Sequence, residues 1–308
     1  AGDYIRASYH GGWTYLRDDR ANILYEANID FNGKKIAGTT CDVNSLYPSK
    51  LVTERYPVYY PHFFKGEVPK DVLDNKELYY FVRVKTRFYL KPDHLPTIQI
   101  KGSMFYPPRE WLKSSDYIDN DGNSWKRIVD DVNGGYREMI PTMVLTCTDW
   151  ELMQDHYNLE DTEILDGCWF YTEKGMFDSY IYKYFEIKKK SKGAVKAISK
   201  LRLNSLYGKF STSTDASRKI PYLSEDGVVH FTDTEEVNIK KAGAISIGSA
   251  CTSYSRNFTI RAAQKNYDTF CYGDTDSMHL LCSPDEVKGA PEDPVALDHW
   301  KYEACWDS

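Results

Sequence analysis

Apolar and polar residues alternate in short runs over much of the chain, while two longer stretches in its second half repeat at the helical period. Residues 36–43, Ile-Ala-Gly-Thr-Thr-Cys-Asp-Val, read as a buried strand that carries Asp42 to its end. Ser45 then stands where it caps the short helix that Leu46-Tyr47-Pro48 begins. From 54 to 175, strand-like runs (79–84, 97–100, 143–146) are interrupted by Pro, Asp, Asn and Gly. Residues 116–135 are polar and turn-rich and read as an exposed loop, and 149–156 as a short helix with an acidic first turn. Nothing in this middle region gathers into obvious chemistry, which predicts an accessory subdomain. Residues 193–208 have helical periodicity, 212–243 pattern as a polar hairpin, and 244–266 as a helix rich in small residues. A last strand pattern runs from Phe270 to Leu281.

That last strand is the unusual one. Within Cys271-Tyr272-Gly273-Asp274-Thr275-Asp276-Ser277-Met278, two carboxylates sit two residues apart in an apolar setting. On a continuous strand they project from the same face, where mutual repulsion and desolvation call for a cation. An all-oxygen site of this kind favours Mg²⁺ held by one or two carboxylates and substrate phosphate. The plain alternative is an acidic hairpin turn, since Gly-Asp and Asp-Ser pairs mark turns. Asp42 supplies a third carboxylate.

A basic element is also present. Between Lys183 and Lys209 stand nine Lys or Arg residues against one acid, Glu186. On a helix from 193, Lys196, Lys200, Asn204 and Tyr207 fall in a stripe about 80° wide, with Leu203 intruding on it. Ala194, Ile198, Leu201 and Ser205 lie opposite, a face suited to packing. Lysines alone describe a solvated face, but lysines in register with an Asn and a Tyr suit phosphate and base contacts.

Composition narrows the class. At 308 residues with 42% hydrophobic content, the chain is long enough for a sizeable core. Its 25 tyrosines are spread along the chain, as packing residues are. The net charge of −6 argues mildly against nucleic acid, so any phosphate affinity must be local. Seven cysteines, an odd count without a C-x-x-C pair, argue against a zinc or disulfide framework and fit a reducing cytoplasm. No apolar run reaches membrane-spanning length and no signal peptide is legible, so the expectation is a cytoplasmic protein without a membrane partner.

Three segments in order, Asp42-Val43-Asn44-Ser45-Leu46-Tyr47-Pro48, Lys200-Leu201-Arg202-Leu203-Asn204-Ser205-Leu206-Tyr207-Gly208 and Tyr272-Gly273-Asp274-Thr275-Asp276-Ser277, resemble motifs A, B and C of the family B DNA polymerases. The resemblance is to the protein-primed branch of small tailed phages, adenoviruses and linear plasmids. Tyr9-His10-Gly11-Gly12 is similar to that family's Tyr-x-Gly-Gly element, and Leu95 to Lys101 is similar to part of its first insertion. The resemblance implies an α+β fold: a palm of antiparallel sheet and helices over 1–53 and 244–308, helical fingers over 176–211, and insertions at 54–175 and 212–243. Nothing before residue 1 corresponds to the family's proofreading exonuclease, and the Lys-x-Tyr element and thumb do not follow, so a polymerase core is expected.

For the site, the resemblance implies catalytic Asp42, Asp274 and Asp276, with Val43 added as a ligand of two Mg²⁺ ions, or Mn²⁺. It implies nucleotide contacts from Ser45, Leu46, Tyr47, Lys188, Lys196, Lys200, Asn204 and Tyr207, Tyr47 excluding a 2′-hydroxyl. DNA contacts are implied for Tyr9, Gly11, Gly12, Thr252 and Arg256. Implied partners are primer-template DNA, deoxynucleoside triphosphates and a priming terminal protein, in the host cytoplasm for a phage or the nucleus for another virus. The rival reading is a non-catalytic DNA- or protein-binding relic that keeps the fold. Such a relic would be expected to lose acids or lysines, and Asp42, Lys200, Asp274 and Asp276 are all present.

Overall fold

The computed structural model describes residues 2–212, 215–216, 219–225, 227–233, 238–239 and 243–307. Its principal elements are β1 (Thr14–Leu16), β2 (Gly38–Val43), α1 (Leu46–Thr53), β3 (Tyr56–Lys65), β4 (Leu78–Leu90), β5 (Thr142–Thr146) and α2 (Cys147–His156). Then follow β6 (Tyr157–Glu173), α3 (Asp178–Lys190), α4 (Gly193–Phe210), α5 (Ile245–Lys265), β7 (Phe270–Asp274), β8 (Ser277–Leu280) and β9 (Trp300–Trp306).

Two antiparallel sheets organise these elements. One has five strands in the order β1-β7-β8-β2-β9; the other has four, β5-β4-β6-β3, all from residues 56–173. Helix α5 is buried along most of its length, and its small side chains (Ser249, Ala250, Ser253, Ser255) let neighbours approach closely. On one side Ile260, Ala262 and Ala263 join a core with Trp13, Cys41, Phe270, Met278 and Trp300 of the first sheet. On the other, Ile247, Ala250 and Cys251 pack with Tyr79, Phe81, Cys168 and Phe170 of the second sheet and with Ile181, Phe185 and Leu203 of the helical pair α3/α4. The middle region therefore shares the central core at one end.

Several local expectations change. Residues 97–100 form no strand: only Ile98 makes an isolated bridge, to Leu112. Their amides instead point at a buried phenol, with Tyr157 Oη accepting from Thr97 N at 2.7 Å and Ile98 N at 3.3 Å. The 116–135 stretch carries short exposed strands, Tyr117–Ile118 paired with Ser124–Trp125, and Ile128–Asp130 paired with Tyr136–Glu138. The 212–243 hairpin is present as Lys219–Leu223 against Val229–Asp233, although much of that region lies outside the described residues. Helix α4 does not bury Ala194, Ile198, Leu201 and Ser205; Ile198 and Leu201 are more than half exposed. Its packing seam is Ser199 and Leu203, continued by the partly buried Leu206, Tyr207 and Phe210, the side that meets α1, α3 and α5 among the described residues.

A buried ion pair ties α2 to α5. Arg256 Nη2 donates to Asp149 Oδ2 at 2.6 Å and Nε to Oδ1 at 3.3 Å, with the two side chains 3% and 8% exposed. Thr146 Oγ1 also donates to Asp149 Oδ2, at 3.0 Å, and accepts from the Asp149 amide at the N-cap of α2. Removing one partner strands a desolvated charge. Arg256→Met is expected to cost about 3–5 kcal/mol in urea unfolding, and Arg256→Met with Asp149→Leu to recover most of it. A single variant within 1 kcal/mol of the parent would show that the pair is well solvated.

Candidate active site

Strand register brings the acids together. Paired residues of adjacent strands share a face, and one such row crosses all five strands: Thr14, Asp274, Ser277, Asp42 and Lys301. Asp42 is there because β2 puts alternate residues outward, with Cys41 and Val43 buried beneath it. Asp274 closes β7, and its Oδ1 accepts from Thr14 Oγ1 at 3.0 Å and Thr275 Oγ1 at 3.1 Å.

Asp276 does not continue that strand. Thr275 and Asp276 are the two-residue turn between β7 and β8, so the acidic hairpin turn and the paired-carboxylate site are the same object. Thr275 has φ +55°, uncommon for a β-branched residue, and its backbone is fixed from outside. The Thr275 amide donates to Trp13 O at 2.8 Å, and the Val43 amide donates to Asp276 O, also at 2.8 Å. Gly12 lies behind the turn, where a Cβ would overlap the Thr275 hydroxyl and come within 2.8 Å of its Cγ2. Gly12 is thus a spacing residue for the acidic turn.

Above the row, α3 and α4 close a cavity of about 480 Å³. Asp42, Val43, Ser45, Leu46, Tyr47, Lys188, Lys200, Asn204, Tyr207, Asp274 and Asp276 all line it. So do Asn44, Thr275 and Ser277 from within the motifs, and Lys301 and Glu303, which lie outside them. Ser45 does not cap α1: it is left-handed (φ +55°), and its Oγ accepts from Lys188 Nζ at 2.8 Å. Tyr47 and Tyr207 stack at 4.0 Å between ring centroids, tilted 23°. Lys196 is exposed one helical turn before Lys200 and does not line the cavity.

The Tyr9–Gly12 segment, Thr252 and Arg256 stand apart from the cavity lining. Thr252 is fully buried, its hydroxyl bonded back to Gly248 O and Ser249 O. Arg256 spends its donors on Asp149, His10 O and Gly11 O, the last two at 2.6 and 2.8 Å. Neither presents a free side chain to a phosphate backbone, a correction to the expected DNA contacts. Arg256 instead holds the strip that carries Gly12. A small helix-facing polar residue gives no sequence signal that separates these two situations.

The field in the cavity is divided. Burial, then the neighbouring Asp42 carboxylate, pushes Asp276 up to about 6. Burial also raises Asp42, against the lowering influence of Lys301. On the opposite wall Lys188 is lowered by burial and then by Lys200, Lys301 and Lys196. Two half-buried, mutually repelling carboxylates with oxygen donors only fit a hard divalent cation. Among the described residues no three His, Cys, Asp or Glu side chains converge into a ready cage.

Residues 2–287 match the family model for DNA polymerase type B, organellar and viral. The chain belongs to that family. It is 37% identical to the DNA polymerase of Bacillus phage phi29 over 305 residues, 98% of this chain and 47% of the relative. To the DNA polymerase of Streptococcus phage Cp-1 it is 34% identical over 265 residues, 85% of this chain and 42% of that one. It also superposes on phi29 DNA polymerase complexed with primer-template DNA and incoming nucleotide substrates, with a TM-score of 0.80, 35% identity, and coverage of 99% of this chain and 47% of that one. The chain spans about half the length of the curated relatives it matches. The α+β palm-and-fingers architecture expected from the motifs is the one observed. All seven cysteines are free, and among the described residues no helix is long and apolar enough to cross a membrane.

The cost of ionising Asp276, set first by burial and then by Asp42, has a measurable sign. With a folded pKa of about 6 against 3.8 ordinarily, the native state holds an extra proton between those values, so metal-free stability falls as pH rises through that window. Asp276→Asn is expected to raise the thermal midpoint in chelator by about 2–4 °C at pH 8 and to leave it unchanged near pH 3. Calorimetry at the two pH values checks this; a less stable Asn variant at pH 8 would show that Asp276 is not penalised.

Proposed function

We propose that this chain is the core of a template-directed DNA polymerase, in which residues 1–53 and 244–308 form the palm, 176–211 the fingers, and 54–175 and 212–243 the two insertions. The observation that carries the reading is a single cavity with acids on its floor, lysines on its wall and a tyrosine pair between them. Its substrates are deoxynucleoside triphosphates and primer-template DNA, and the first insertion is the surface offered to a priming terminal protein. Its place of action is the host cytoplasm, a reading supported by the phage origin of the relatives.

Asp42 and Asp276, with the Val43 carbonyl, are the residues to hold two Mg²⁺ (or Mn²⁺) ions, and Asp274 supports them from the adjoining register position. Held by these residues, such ions would supply Lewis acidity toward the primer 3′-hydroxyl and positive charge at the α-phosphate. Lys200 and Lys188 supply fixed positive charge for the triphosphate, and Lys196 adds to it from the approach side. A lysine held beside Ser45 Oγ is pre-oriented and loses little freedom on binding phosphate. The backbone at 44–46 borders the same space. Tyr47, braced by its stack on Tyr207, is the flat wall against which a deoxyribose fits, and Asn204 reaches the nascent pair. Tyr9, Gly11 and Gly12 border the DNA path behind the acidic turn. Phosphate contacts there fix register without reading sequence.

Asp42→Asn and Asp276→Asn are each expected to lower single-turnover nucleotide incorporation by at least three orders of magnitude while the fold persists. Near-normal extension by either variant in Mg²⁺ overturns the assignment. Retained DNA binding with no metal-dependent extension by the parent protein favours the non-catalytic reading. Tyr47→Val is expected to raise ribonucleotide incorporation relative to deoxyribonucleotide by at least tenfold, because the ring that excludes the 2′-hydroxyl is gone. Unchanged discrimination would leave Tyr47 a packing partner of Tyr207.

A further inference from the structure

Lys301 is the residue of the cavity that the motifs leave unexplained. It is the cross-strand partner of Asp42, so the two side chains rise from the same face of the sheet. Its Nζ lies 3.0 Å from Asp42 Oδ1 and 2.5 Å from Glu303 Oε1. Glu303 is close because β9 bulges at this point: Tyr302 pairs with Cys41 and Ala304 with Thr40, leaving Glu303 as the extra residue. Bulges of this kind re-aim side chains beside functional sites. Asp42 therefore already has a cation against it, whereas Asp274 is met by hydroxyls.

We propose that Lys301 is a built-in counter-ion that holds Asp42 in the empty site and competes with the divalent ion for it, and that Glu303 receives the ammonium when the ion arrives. The proposal rests on the reading of Asp42 and Asp276 as metal ligands. Lys301 is a positioning residue acting through Asp42, and it makes metal loading an exchange of one cation for another. Its side chain is 30% exposed and that of Asp42 20%, so their attraction is stronger than that of a surface pair. The exchange needs only a short swing, since both carboxylates are within reach of the same Nζ. The arrangement disfavours an ion bound without nucleotide, because displacing Lys301 must be offset by additional oxygen ligands.

The test is direct Mn²⁺ binding to the purified protein without nucleotide, read by electron paramagnetic resonance of the free ion. Lys301→Met is expected to bind Mn²⁺ about tenfold more tightly than the parent, and Lys301→Gln, which keeps a polar group there, to shift the same way. Glu303→Gln is expected to bind several-fold more weakly, because Lys301 has lost its alternative partner. In the Lys301→Met/Glu303→Gln double variant the second change is expected to have no effect. Unchanged or weaker binding by both Lys301 variants overturns the proposal. So does a double variant as weak as Glu303→Gln, which would make Glu303 itself a ligand. Asp42→Asn separates the two levels: if it binds Mn²⁺ as the parent does, the metal-site reading fails as well.

Discussion

The structure depends on a local conflict of charge. Asp42 and Asp276 come from opposite ends of the sequence and meet half-buried; burial raises the cost of ionising both, and the Asp42 carboxylate adds to it at Asp276. A backbone hydrogen bond at Asp276 offsets only part of that cost, and the Val43 amide bond to Asp276 O fastens β2 to the turn. A compact site under this strain needs positive charge from a side chain or a bound ion. Lys301 supplies one such charge on the Asp42 side, and Lys188 and Lys200 face the acids across the cavity.

Much of the surrounding architecture keeps that conflict in place. Thr275 is held left-handed by the Trp13 carbonyl and has room only because position 12 is glycine. Position 273 is also glycine, and a Cβ there would come within 2.8 Å of the Trp13 ring. Trp13 is anchored in turn by its indole donating to Pro96 O at 3.0 Å. Arg256 takes the carbonyls of His10 and Gly11 while paired to Asp149, so α5, α2 and the Gly12 strip form one support. Burial, then Arg256 and Lys101, pushes His10 down to about 3, which keeps that strip from adding a competing charge.

The helical wall follows a different logic. One seam of α4, through Ser199 and Leu203, packs inward, and the adjacent stripe of Lys200, Asn204 and Tyr207 opens on the cavity. The two stripes adjoin, so a nucleotide-facing residue and a core residue can be neighbours in angle. Leu203 is therefore not an intruder on the basic stripe but the residue that holds it against the core.

The sequence by itself determined the boundaries of the strand that carries Asp42 and of helices α4 and α5 to within about two residues, and its motifs pointed to the α+β character and to Asp42, Asp274, Asp276, Lys188, Lys200, Tyr47 and Tyr207, which line one cavity. Those features are local: a strand or helix period records which side is buried, and short motifs keep their chemistry within a few residues. Tertiary structure alone decided what depends on register and on distant neighbours. It turned the Asp-Thr-Asp strand into a two-residue hairpin, withdrew Thr252 and Arg256 into the interior, and set Lys301 opposite Asp42. An arginine that binds phosphate and one that braces a loop look the same in one dimension. Only the packing of α2 against α5 removes this one from solvent and gives it Asp149.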